Sequence, residues 1–353
     1  MKALVYHGPG QKAWEDVPDP VLQEPTDAIV KMEVTTICGT DLHILKGDVP
    51  AVTPGRILGH EGVGVVTEVG PGCERVRVGD RVIVSCVSKC GTCEFCRAGL
   101  TSHCQTVGGI GWIFGNLIDG TQAEYVRVPF ADNGLIALPE KVTPEQGTML
   151  SDILPTGYEI GVLYGAVGEG DVVAVVGVGP VGLASVMTAS AAGASKVIAV
   201  DGNKFRLEQS RDFGATHTID VNAGGDVVAQ LKELSRGGLG VDVAIEAVGV
   251  PATFGVALDS VRPGGHVANV GVHGESVTFP IERDWINNLT ITTGLVNATT
   301  APELLESIER GDITPEKFIT HRFTFDQFDE AYDTFGRAAD EHALKVIIAA
   351  GDA

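Results

Sequence analysis

Cys90, Cys93, Cys96 and Cys104 fall within fifteen residues in the pattern C-x2-C-x2-C-x7-C, in a loop that carries Gly91 and Gly99. Four thiolates at such spacing can close a tetrahedral zinc site. An iron–sulfur cluster is the competing chemistry, but the ferredoxin run has three residues before its fourth cysteine and a proline after it. Here seven residues intervene and Gln105 follows. A closed four-cysteine site has no open position, so its expected role is to hold a loop. A second set of metal-type residues is dispersed: Cys38 in C-G-T-D-L-H (Cys38 to His43), and His60 with Glu61 in G-H-E-G (Gly59 to Gly62). Taken singly, such a cysteine is usually a small core hydrophobe, and such a histidine is more often a satisfied core or surface residue than a ligand.

Gly177-Val178-Gly179-Pro180-Val181-Gly182 is a G-x-G-x-x-G that ends an apolar run and opens an alanine-rich one, the context a dinucleotide fingerprint requires. Gly177 permits the tight turn, Gly179 lets backbone approach a pyrophosphate, and Gly182 lets helix pack on strand, with the helix N-terminus facing the phosphates. Asp201 ends the next apolar run about twenty residues on, where a carboxylate accepts hydrogen bonds from ribose hydroxyls and repels a 2′-phosphate. Gly202 and Asn203 follow it, not the small neutral residue and arginine usual for NADP. NAD is the expected cofactor.

The elements that must position these residues change character along the chain. Short β-runs broken by glycine turns come first: Lys2 to His7, Ala28 to Thr36, Gly62 to Val69, Arg81 to Val84, Glu124 to Val128. From Val172 the rhythm is βαβ: a strand Val172 to Val176, a helix Val181 to Ala192, a strand Lys196 to Val200 and a helix Lys204 to Phe213. Strands Val241 to Ala247, Gly265 to Val270 and Leu289 to Thr293 continue it. A doubly wound parallel sheet follows. Two helices (Pro302 to Arg310, Phe325 to Phe335) and a strand (Leu344 to Ala349) do not extend that rhythm and are assigned to the first domain. The expected division is 1–154 with 296–353, including a metal lobe at about 86–106, and 155–295.

At 353 residues the chain is too long for one ordinary core. A formal charge of −21 without a lysine-arginine cluster argues against nucleic acid or an anionic membrane as partner. No leader-like segment and no clean 18-residue apolar span is seen, so a cytoplasmic location is expected. Seven cysteines, an odd number, with four clustered, fit metal ligation and not a secreted disulfide framework. Cys73 and Cys86 are read as buried small hydrophobes.

With C-G-T-D-L-H, G-H-E-G, the four-cysteine lobe and V-G-V-G-P-V-G in this order, the chain resembles the zinc-containing medium-chain alcohol dehydrogenases over essentially its whole length, and most closely the bacterial tetrameric NAD-dependent members. The resemblance implies an α/β protein: a GroES-like, β-rich catalytic domain plus a Rossmann domain. It implies two zinc ions per chain, one catalytic on Cys38, His60 and Asp152, one structural on the four-cysteine lobe, with Glu61 as the carboxylate beside the catalytic metal. It assigns Thr40 as the hydroxyl that takes the alcohol proton and His43 as the outer end of that relay. Arg206 resembles the basic residue flanking the adenosine ribose. Some members use an arginine at the position of Gly39 to hold the pyrophosphate; its absence leaves that task to the helix N-terminus and Lys345. Trp112 resembles a pocket-lining tryptophan that suits a small or medium apolar substituent. The implied reaction is reversible hydride transfer from a primary or secondary alcohol to NAD, giving an aldehyde or ketone, in which an open zinc site lowers the pKa of the substrate oxygen. Threonine or polyol dehydrogenases share these motifs and form the alternative; a dinucleotide-binding protein without catalysis is the remote one, and the ligand-type residues exclude a zinc-free quinone reductase. A homodimer or homotetramer is expected through the edge strand near Leu289 to Leu295.

Overall fold

The structure, a computed structural model, describes residues 1–351. The chain divides into two compact units, Met1–Asp152 with the segment from Asn297 onward, and Ile153–Val296.

In the first unit β1 (Lys2–Gly8) and β2 (Gln11–Asp16) form an antiparallel hairpin. β3 (Ala28–Thr36), β4 (Gly62–Val69), β5 (Arg81–Val84) and β7 (Leu135–Ala137) pair antiparallel in that order, with β6 (Tyr125–Val128) on the start of β3. The β3 run AIVKMEVTT is buried at all but two positions, as expected of a strand covered on both faces. An eight-residue helix, α1 (Gly39–Lys46), follows β3 and ends on Gly47 in the left-handed conformation.

The second unit is built on β8 (Val172–Val176), β9 (Lys196–Asp201), β10 (His217–Asp220), β11 (Val241–Glu246), β12 (Val261–Asn269) and β13 (Thr290–Thr293). All pairs are parallel, in the order β10-β9-β8-β11-β12-β13. Numbered from β8, that is 3-2-1-4-5-6, the Rossmann order, with its switch point between β8 and β11. The crossovers carry α2 (Pro180–Ala191), α3 (Lys204–Asp212), α4 (Val227–Leu234) and α5 (Pro251–Ser260). Val172, Ala174, Val176, Ile198, Val200 and Ala244 form part of one buried cluster.

The chain then returns to the first unit with α6 (Ala301–Arg310), β14 (Ile319–Thr324), α7 (Phe328–Gly336) and β15 (Lys345–Ala349). β15 pairs antiparallel with the end of β3, Ile347 opposite Thr36, and parallel with β14. No helix among the described residues is long and apolar enough to cross a membrane.

Candidate active site

Register gathers the dispersed residues of the first unit. Thr35 stands opposite Gly62, and Gly62 opposite Val84, so the chain just beyond β3 (Cys38), just before β4 (His60, Glu61) and just beyond β5 (Cys86) meets on one line across three strands. β15 adds Lys345 from the other side of β3. Gly62 is required there: a Cβ on it would lie 2.4 Å from Met32 Cε and 2.7 Å from Val34 O. Ser151 closes the line, its Oγ accepting the Gly62 N–H at 3.0 Å and donating to Gly62 O at 3.2 Å. Asp152 is thereby carried to the same place.

Ligand-type atoms of Cys38, His60, Glu61 and Asp152 lie within 4.8 Å of one another. Asp152 Oδ2 is 3.3 Å from His60 Nε2 and 3.8 Å from Cys38 Sγ. Tetrahedral zinc with bonds of about 2.0–2.3 Å has edges of about 3.3–3.8 Å, so these separations fit a shared cation. A buried polar atom points the same way: Glu61 Oε2 makes no hydrogen bond. Burial opposes charge on His60, yet its bonds with Asp152 and Cys38 outweigh burial and hold its pKa well above the ordinary value. A bound divalent cation would instead take the neutral imidazole.

Around this set lies a buried network that the sequence reading did not assign. Asp41 Oδ2 accepts the Cys38 N–H at 2.9 Å and Gln122 Nε2 at 3.2 Å, while Tyr332 Oη donates to Gln122 Oε1 at 2.8 Å. Asp41 Oδ1 faces His60 Nδ1 at 3.9 Å, a charge neighbour beyond hydrogen-bond distance, on the ring edge away from Asp152. The one sequence signal for Asp41 is its position three residues after Cys38 at a helix start. Thr40 Oγ1 lies 3.7 Å from Cys38 Sγ. His43, one turn further along α1, is exposed, its Nδ1 2.9 Å from Asp48 Oδ2. The Trp112 ring meets the His60 ring edge-on at 6.3 Å.

Lys345 requires a correction. Its ammonium is 1% exposed and lies 2.6 Å from Glu61 Oε1 and 3.2 Å from Ile37 O. A buried cation bound to a buried carboxylate is not free to take a pyrophosphate. Burial works against its charge, but Glu61 holds its pKa above the usual lysine value. Cys86 is buried as expected, yet it is not merely a hydrophobe: its thiol donates to Asp152 Oδ1 at 3.6 Å. Cys73 is half-buried and donates to Asp27 O at 3.4 Å.

In the lobe, Cys90 and Cys96 sulfurs are 3.9 Å apart and those of Cys93 and Cys104 4.0 Å. A zinc tetrathiolate with bonds of about 2.3 Å has S–S edges of about 3.8 Å. Backbone N–H groups of Thr92 and Cys93 point at Cys90 Sγ at 3.4 and 3.3 Å. Burial disfavours the Cys90 thiolate, but the Thr106 and Thr92 hydroxyls and these amides bring its pKa down to about 5. Burial and neighbouring sulfurs push Cys96 up to about 12. Four sulfurs this close ionise together only with a cation among them, which is the fit a structural zinc needs.

In the second unit the fingerprint turn joins β8 to α2. Gly177 has φ +91°, and a Cβ on it would sit 2.3 Å from Val248 Cγ2. A Cβ on Gly182 would lie 1.9 Å from Gly177 O. At Gly179 a Cβ would meet, among the described residues beyond its chain neighbours, only Arg206 Nη1 at 3.7 Å, leaving an open cradle beside a guanidinium. Val178 N–H donates to Asp201 Oδ2 and Asn203 N–H to Asp201 Oδ1, each at 2.8 Å, which fixes the carboxylate at the end of β9. Pro180 and Val181 open α2. The open cradle at Gly179 and the fixed Asp201 carboxylate fit a dinucleotide.

A Rossmann sheet with that turn, in a chain that also carries a thiol, imidazole and carboxylate metal set, defines a metal-dependent dehydrogenase. Residues 180–310 match the zinc-binding dehydrogenase family and residues 24–140 the alcohol dehydrogenase GroES-like domain. Alcohol dehydrogenase from Cupriavidus necator is 37% identical, covering 99% of this chain and 98% of its own. Zinc dependent alcohol dehydrogenase 2 from Streptococcus pneumonia is 48% identical with a TM-score of 0.94, covering 100% of this chain and 99% of its own. The alcohol dehydrogenase from Thermus sp. ATN1 is 38% identical with a TM-score of 0.92, covering 99% of this chain and 100% of its own. The chain belongs to the zinc-dependent medium-chain alcohol dehydrogenase family, and it is an oxidoreductase that uses zinc and a nicotinamide cofactor.

Proposed function

We propose that the chain is an NAD-dependent dehydrogenase of primary or secondary alcohols with small or medium apolar substituents, working reversibly to an aldehyde or ketone. The observation that carries this is that Asp152 stands at tetrahedral-edge separations from both Cys38 and His60, with Thr40 beside them. Cys38, His60 and Asp152 are the proposed ligands of a catalytic zinc, and Cys90, Cys93, Cys96 and Cys104 those of a structural zinc, two ions per chain. When bound, the catalytic zinc supplies Lewis acidity that lowers the pKa of an alcohol, and the nicotinamide supplies the hydride acceptor.

The rest belongs to side chains. Asp41 places a buried carboxylate 3.9 Å beyond His60 Nδ1 and so favours, by charge, the ring with Nε2 toward Asp152. Thr40 takes the alcohol proton as it gives up its own hydroxyl proton to the relay, and His43, one turn away and exposed, passes a proton to solvent. Lys345 holds Glu61 beside the ligands by pairing with Oε1. Trp112, edge-on to His60, presents apolar surface and keeps water from the substrate carbon. Gly177, Val178, Gly179, Pro180, Val181 and Gly182 cradle the pyrophosphate with Arg206 beside them. Asp201 takes the adenosine ribose hydroxyls and disfavours NADP.

A homo-oligomer is proposed through the β13 edge. Ile281, Trp285 and Ile286 stand 58%, 69% and 65% exposed just before that strand, an apolar group that a second copy would cover. Trp285→Glu should then lower the solution mass by light scattering; an unchanged mass rejects that surface. The unpaired thiols suit a reducing cytoplasm. Oxidation rates with NAD for ethanol, 2-propanol, 2,3-butanediol, sorbitol and threonine test the substrate class. Turnover of the simple alcohols is expected. Turnover of threonine or a polyol alone would keep the chemistry and overturn the class.

A further inference from the structure

The scheme above gives no task to Cys86, two residues beyond β5 and 3% exposed. Its environment is built. The Cys86 N–H donates to Ser151 O at 3.0 Å, Ser151 Oγ bridges both backbone groups of Gly62, and Val84 is in register with Gly62. The distance between Cys86 and the carboxylate that follows Ser151 is therefore set by the sheet. Across that distance the thiol donates to Asp152 Oδ1 at 3.6 Å.

Asp152 consequently turns its two oxygens to different neighbours. Oδ2 lies on the edges of the proposed coordination tetrahedron, 3.3 Å from His60 Nε2 and 3.8 Å from Cys38 Sγ. Oδ1 faces Cys86, whose sulfur is outside the set of mutually close donors. A carboxylate can grip a cation with one oxygen or with both, and the second grip would take the position that a substrate needs.

We propose that Cys86 is a positioning residue: its thiol holds Asp152 Oδ1 aside, so that Asp152 ligates through Oδ2 alone and one coordination position stays open. This rests on Asp152 being a zinc ligand, as proposed above. The contact is short of a strong hydrogen bond because a thiol is a weak donor, but the acceptor is a carboxylate in a buried setting, which strengthens it.

The test uses the full-length zinc-loaded protein and its Cys86→Ala and Cys86→Ser variants. Zinc release to an excess of chelator is followed with a metallochromic dye. The phase missing from His60→Ala identifies the catalytic site, and the lobe phase reports an intact fold. Without the thiol both oxygens of Asp152 can grip the metal, and the added bond must break before the metal leaves. Cys86→Ala should therefore release the catalytic zinc roughly tenfold more slowly, about the worth of one added contact, with the lobe phase unchanged. Cys86→Ser, which keeps a donor, should return to within about threefold of wild type. In cobalt-substituted protein the ligand-field bands should weaken and shift in the alanine variant, as coordination number rises, and stay in place in the serine variant.

Wild-type release and bands in Cys86→Ala would overturn the proposal, as would faster release in it or an equal change in both variants, which would mean packing and not donation. Should Cys86→Ala lose both zincs together, the cobalt bands of Cys86→Ser decide: unshifted bands support it and shifted bands overturn it. A wild-type protein without any release phase lost in His60→Ala would instead refute the ligand assignment itself.

Discussion

Replacing Gly179 and Gly182 by alanine, one at a time, should separate binding from stability within a single turn. Gly179 has φ −66° and ψ −177°, which alanine adopts without strain, and its new Cβ would meet only Arg206 Nη1 at 3.7 Å. The folded protein should not suffer. Loss of unfolded-state freedom stabilises by about 0.4–1 kcal/mol. The added methyl fills the cradle, however, and overpacking against a pyrophosphate at about 1–3 kcal/mol weakens the dinucleotide by roughly 5- to 150-fold. Gly182 is the opposite case. Its Cβ would stand 1.9 Å from Gly177 O and 2.9 Å from Gly177 C, backbone atoms of a turn that cannot rotate away. A cost at or above about 3 kcal/mol, and a fall of roughly 6–12 °C in the melting of this unit, follows. Thermal unfolding by circular dichroism and NAD titration by calorimetry read the two effects. If Gly179→Ala melts as low as Gly182→Ala, or binds NAD within twofold of wild type, the cradle argument is wrong.

Two further outcomes follow from single carboxylates. Asp201→Gly removes the acceptor for the Val178 and Asn203 amides and a charge that repels a 2′-phosphate. It should loosen NAD about tenfold and raise kcat/KM with NADP by a similar factor; a wild type that already prefers NADP in steady-state rates would refute that role. At Asp242 burial opposes ionisation, but the Val172 N–H at 2.8 Å and Arg262 at 2.7 Å outweigh it and hold the carboxyl below its ordinary pKa. A depressed native pKa stabilises above the unfolded value of about 3.9 and is lost as pH falls through the native one. Asp242→Asn should therefore cost about 1–2 kcal/mol at pH 7 and progressively less below about pH 4. Urea melts at both pH values check this, and a pH-independent difference would contradict it.

Much of the fold was legible because burial and chemistry repeat locally. The strands Ala28–Thr36, Gly62–Val69, Arg81–Val84 and Val172–Val176 occupy the residues expected of them. β10 and β14 escaped notice for a physical reason: HTID and ITHRFT mix charged and apolar residues and are half-exposed, so neither shows a clean apolar run. The helix expected from Phe325 starts at Phe328, after one tighter turn. Around the metal set the limit was register. Nothing near Lys345 in sequence says that its partner is Glu61, 284 residues away, or that Cys86 and Asp41 flank Asp152 and His60. Those contacts exist only once β3, β4, β5 and β15 are aligned, and pairing register is not written in residue type.

Metal content per chain, measured with NAD-linked turnover in wild type and His60→Ala, tests the central claim most directly. The account requires two zincs and alcohol oxidation in wild type. It requires one zinc, no turnover and nearly unchanged NAD binding in His60→Ala, because the fingerprint turn shares no residue with the metal set. Undiminished turnover in that variant, or two zincs retained, would contradict it.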